Sequence, residues 1–94
     1  MTTLFLLQGD YAKAQQLLMQ FQQMATNSDS IVLMAESVLH YNHPSLAPYR
    51  RYVLENDAVI LPKLENDLAQ RIQCIDYLQF SQLILQHQRC ISLK

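Results

Sequence analysis

The chain has 94 residues, 50% of them apolar and 16% charged, with seven basic against eight acidic side chains and a formal net charge of −1. That length fits one domain, residues 1–94, able to bury about 60–65% of the surface its unfolded form exposes. Direct nucleic-acid binding is disfavoured, because Arg50-Arg51 is the only adjacent basic pair and no basic stripe accompanies it.

In chain order, Thr3–Gln8 (TLFLLQ) is an almost unbroken apolar run closed by Gly9-Asp10, the pattern of a strand covered on both faces. Asp10 is placed as the N-cap of an amphipathic helix whose Ala14, Leu17, Leu18, Phe21, Met24 and Ala25 recur at helical spacing. The turn formers Thr26–Ser30 end it, and Ile31–Ala35 reads as a second buried strand. Residues 36–48 are irregular, broken by Pro44 and Pro48. Tyr49–Glu55 is expected to form a short helix, with Pro48 in its first turn. Ala58–Pro62 (AVILP) is the expected third strand, and Leu64, Leu68 and Ile72 form a short helical face. Residues 72–76 are the fourth strand, Asp76 caps a last helix bearing Tyr77, Phe80, Leu83, Ile84 and His87, and Cys90–Leu93 closes the chain as an edge strand. Apolar strands alternating with helices imply a three-layer α/β/α domain around a small, mostly parallel sheet of four to five strands, a Rossmann- or flavodoxin-like architecture.

Chemistry-bearing residues are few. Cys74 falls in an apolar run with acids nearby in sequence, which raise rather than lower a thiol pKa, so it reads as an inert core residue. Cys90, preceded by Arg89, reads as incidental. His40 and His43 are three apart, but Pro44 disfavours helix at residue 43 and no third ligand type clusters with them; they read as surface or interface histidines. Glu36 follows a buried strand at the carboxyl edge of the sheet, where α/β proteins place their sites, yet no base or nucleophile accompanies it. The lone Gly9 cannot form a phosphate cradle, which needs several glycines. No catalytic, cofactor-binding or metal-binding set is therefore assigned. Two cysteines do not make a disulfide framework, and the run Leu4–Leu7 is too short for a signal segment or membrane span. The expectation is a soluble cytoplasmic protein with reduced thiols. The sparse charge points either to surface covered by a partner or to Gln side chains supplying uncharged polarity.

The stretch LENDLAQRI and the later IDYLQFSQLILQH carry a family resemblance, through Leu64, Asp67, Leu68, Arg71, Ile75, Asp76, Tyr77, Phe80 and Leu83. They resemble the C-terminal half of DsrH/TusB proteins, members of the DsrE/DsrF/DsrH superfamily. In the N-terminal half, the Thr-Leu strand, the amphipathic helix, and Glu36 and Val38 after the second strand agree in outline. The chain departs from the family in having Ser37 where Asp-Gly-Val would place a glycine, and Leu17, Leu18 and Met19 where some sulfur-oxidising members carry a cysteine.

The resemblance implies a non-catalytic subunit of a cytoplasmic sulfur relay. Its partners would be homologous TusC-like and TusD-like subunits in a dimer of heterotrimers, and a small sulfur-carrier protein reached through the complex. The relay ends in 2-thiolation of a tRNA wobble uridine, and the reactive cysteine belongs to the TusD-like subunit. The residues also leave open an independent flavodoxin-like binding or regulatory domain, alone or as a homo-oligomer, and a subunit of a related sulfur-oxidation complex.

Overall fold

The near-continuous apolar runs become neighbouring strands of one sheet. The computed structural model describes residues 2–26, 28–41, 43–46, 49–58 and 72–93. Five strands, β1 (Thr3–Gln8), β2 (Ser30–Met34), β3 (Arg50–Leu54), β4 (Ile72–Ile75) and β5 (Arg89–Leu93), lie in the order β4-β3-β2-β1-β5. Every neighbouring pair is parallel. Helix α1 (Tyr11–Met24) links β1 to β2, a 3-10 helix (Ala35–His40) leaves β2, α2 (Glu55–Ala58) leaves β3, and α3 (Tyr77–Gln86) links β4 to β5.

Strand side chains alternate between faces, so each apolar run feeds two cores. Phe5, Leu7, Ile31, Leu33, Val53 and Ile72 pack on one side with Ala14, Leu17, Leu18 and Phe21 of α1. Leu4, Val32, Leu54 and Ile75 pack on the other with Leu83 of α3. The result is the three-layer α/β/α arrangement expected from the sequence, with both helix caps in place. Asp10 Oδ1 accepts the Lys13 N–H at 2.8 Å, and Asp76 Oδ1 accepts the Gln79 N–H at 2.7 Å while Gln79 Oε1 accepts the Asp76 N–H at 3.0 Å. The second arrangement is a reciprocal capping box.

The region around residue 50 differs from expectation. Where the sequence suggested a helix over Tyr49–Glu55, the chain forms β3, and α2 begins only at Glu55. Pro48 offers a helix start, but pairing overrides it. Ser30–Leu33 register with Arg50–Val53, and Arg51, Val53 and Leu54 become buried. Ala58, the first residue of the expected third strand, is instead the last of α2. Residues 59–62 of that expected strand, and Leu64 and Leu68 of the expected helical face, lie outside the described residues, while Ile72 opens β4.

Two polar side chains fix the turns. Asp29, 4% exposed, accepts the Thr3 N–H at 2.9 Å and the Thr26 N–H at 2.8 Å, tying the start of β1 to the loop before β2. Ser37 Oγ accepts the Met34 N–H at 2.8 Å and donates to the Leu7 carbonyl at 2.7 Å. This stitches the end of β2 to β1. Between them Ala35 has φ 55°, left-handed backbone that costs a non-glycine residue about 1–2 kcal/mol. The Ser37 bonds help hold that bend. The hydroxyl thus does work here that a glycine at position 37 could not.

Candidate functional site

A parallel sheet gives its two ends different chemistry. At the carboxyl ends of the strands sit Asp10, Glu36, Glu55, Asp57 and Asp76, while Arg50 and Arg89 open β3 and β5 at the other end. The adjacent basic pair is split, since Arg51 is buried and donates from Nη1 to the Tyr41 carbonyl at 2.7 Å.

The carboxyl end is where open α/β sheets bind ligands, and Glu36, His40 and His43 lie there or next to it. Glu36 Oε2 accepts the Tyr11 N–H at 3.2 Å. With Asp10 on the Lys13 N–H, two amides in the first turn of α1 already face carboxylates. An anion at this helix terminus would meet negative charge rather than free donors. Gly9 offers no cradle either: its φ is not positive, and a Cβ there would meet only Lys13 side-chain atoms, at 3.8 Å.

His40 is not a surface residue. It is 5% exposed, its ring stacks on Tyr11 at 4.3 Å and 17°, and its Nε2 lies 2.9 Å from the Tyr11 carbonyl. A carbonyl can only accept, so Nε2 carries the proton. The 3-10 helix turns His40 inward against α1, which the proline-rich sequence around it did not indicate. His43 is half-buried, its ring centroid 6.0 Å from that of His40. Glu36 and His40 thus meet at Tyr11 and serve to pin the α1 start. No group of three or more His, Cys, Asp or Glu is arranged to hold a metal ion among the described residues. The cleft between Leu54, Glu55, Ile75 and Tyr77 has a volume of about 30 Å³, enough for about one water.

Cys74 is not a core residue. It lies in the edge strand β4 opposite Val53 and is exposed, because β4 is the outermost strand on that side. The core expectation failed on strand order, which a four-residue run does not encode. Its neighbour Gln73 was the available signal, since a strand buried on both faces seldom carries an amide. Cys90 is exposed as well, on β5 at the opposite edge of the sheet, and partial burial raises its thiol pKa from the ordinary 9.0. A raised pKa leaves less thiolate near neutrality, the reverse of what a sulfur nucleophile needs.

What the surface does offer is apolar. Leu83 of α3 faces the sheet, with Phe80 and Ile84 half-buried beside it. Leu78 and Leu85, seven residues apart, lie on the outward stripe and are 68% and 85% exposed. Tyr77 at the start of α3 is exposed as well, and so are Tyr11, which follows β1, and Leu39 in the 3-10 helix after β2. Large apolar side chains facing water, when they cluster, are what protein-docking surfaces are made of. Sequence periodicity missed this, because α3 is apolar on two sides and only one was needed for the core.

No protein-family model and no curated protein matches the chain. No helix among the described residues is long and apolar enough to cross a membrane.

Proposed function

We propose that the chain is a non-catalytic subunit of a cytoplasmic sulfur-relay complex of the DsrH/TusB kind. It assembles with TusC-like and TusD-like subunits into a dimer of heterotrimers that serves 2-thiolation of a tRNA wobble uridine. The observation that supports this most is the outward apolar stripe Leu78–Leu85 on a helix whose opposite side already packs on the sheet. A subunit needs such a second apolar surface, and an isolated domain of this size gains nothing from it. The cysteines agree. They lie at opposite edges of the sheet, and the thiol of Cys90 is held towards its neutral form. The chain's role in this reading is to hold partner subunits in place while a partner thiolate carries the persulfide.

Replacing both cysteines tests the non-catalytic half of the proposal. Cys74→Ser/Cys90→Ser should change stability by no more than about 0.5 kcal/mol, because both positions are exposed. Complexes rebuilt with this variant should transfer sulfur to tRNA at the wild-type rate. Loss of transfer by a complex that still assembles would make one of these thiols a relay cysteine.

A further inference from the structure

At the end of the sheet away from the carboxylates, a cavity of about 440 Å³ opens between the loop before β2, the start of β3 and the end of α3. Volumes of this order accommodate small organic ligands. Its walls divide by chemistry. Leu83 and the half-buried Tyr52 supply apolar surface, and Ser28 and Ser30 contribute short polar residues. Arg50, Gln86 and His87 bring side-chain nitrogens.

The state of the polar groups decides the ligand's charge. Arg50 is exposed, and its side chain makes no hydrogen bond or ion pair among the described residues. His87, the C-cap of α3, donates from Nδ1 to the Leu83 carbonyl at 2.8 Å, so Nε2 is an acceptor in the neutral ring and donates to an anion only when the ring is doubly protonated. Asp29 is the one carboxylate in the lining, and it is buried with its two oxygens on the Thr3 and Thr26 amides. Its charge is therefore turned towards the backbone. Arg89, opening β5, adds a second cation at the same end of the sheet.

We propose that this cavity binds a small organic anion, its carboxylate or phosphate held by Arg50 and by His87 in its imidazolium form, and its apolar body against Tyr52 and Leu83. Bidentate pairing suits a planar guanidinium to either anionic group. The assignment is independent of any assembly through the α3 stripe, since Leu78 and Leu85 do not line the cavity.

Amide-resolved NMR titration of the full chain with benzoate, acetate and inorganic phosphate tests it. Benzoate should shift the amides of Ser28, Ser30, Arg50, Tyr52 and His87 saturably, with a dissociation constant on the order of millimolar for so small a ligand. Acetate and phosphate, lacking the apolar body, should bind at least about fivefold more weakly. Arg50→Gln should weaken benzoate about tenfold, the loss expected for one charge-assisted contact, while leaving the spectrum away from the cavity unchanged. His87→Gln, tested separately, should weaken it several-fold. The proposal is overturned if the shifts are absent or fall elsewhere, if Arg50→Gln binds like wild type, or if phosphate binds as well as benzoate.

Discussion

Phe21→Ala is expected to lower the unfolding free energy by about 3–5 kcal/mol, the range for truncating a buried aromatic. Phe21 is 0% exposed, with its ring edge-on to Phe5 at 4.9 Å and to Tyr49 at 4.8 Å. It therefore joins α1, β1 and the segment entering β3 at one point. Truncation removes both aromatic contacts and opens a cavity that the backbone of a parallel sheet cannot close. Urea denaturation of the two proteins measures the difference, and a loss below about 1 kcal/mol would mean that α1 does not pack as described. Since a domain of this size is stable by only about 5–10 kcal/mol, a large share of the folded population is at stake.

Leu78→Asp and Leu85→Asp are expected to act in the opposite way, sparing the fold and breaking the assembly. Both leucines face solvent in the chain by itself, so each change should alter stability by no more than about 0.5 kcal/mol. Buried against a partner subunit, an unpaired carboxylate should cost about 2 kcal/mol or more, which is about thirtyfold in the dissociation constant. Pull-down of co-expressed partners by the two variants, beside thermal melts of each variant alone, separates the effects. Unchanged capture of the partners would remove the α3 stripe from the interface.

The elements with a strong local signature were legible in the sequence. Helix α1 followed from the spacing of Leu17, Leu18 and Phe21 and from the Asp10 cap, and β1, β2, β4 and β5 followed from short apolar runs. Arg50–Leu54 reads as helix because Pro48 suits a first helical turn, whereas its structure is set by pairing with β2. Strand order was nearly as silent. Only Gln73 within Ile72–Ile75 hints at an edge, and the apolar run around it puts Cys74 in the core when it faces water. His40 was missed for a related reason. Its burial depends on Tyr11, 29 residues away in the chain. The carboxylates at one end of the sheet and the arginines at the other are visible in the sequence only once the strands are known to run the same way.

The proposed role, one subunit among homologous ones, is tested most directly by the mass of what the chain forms with them. The chain should be co-expressed with the TusC-like and TusD-like proteins of the same genome and purified through a tag on this chain alone. Light scattering on the eluted peak should then give its mass. A particle holding two copies of each of the three chains is the predicted result. Recovery of this chain by itself, as a monomer or a homo-oligomer with both candidates present and folded, would contradict it.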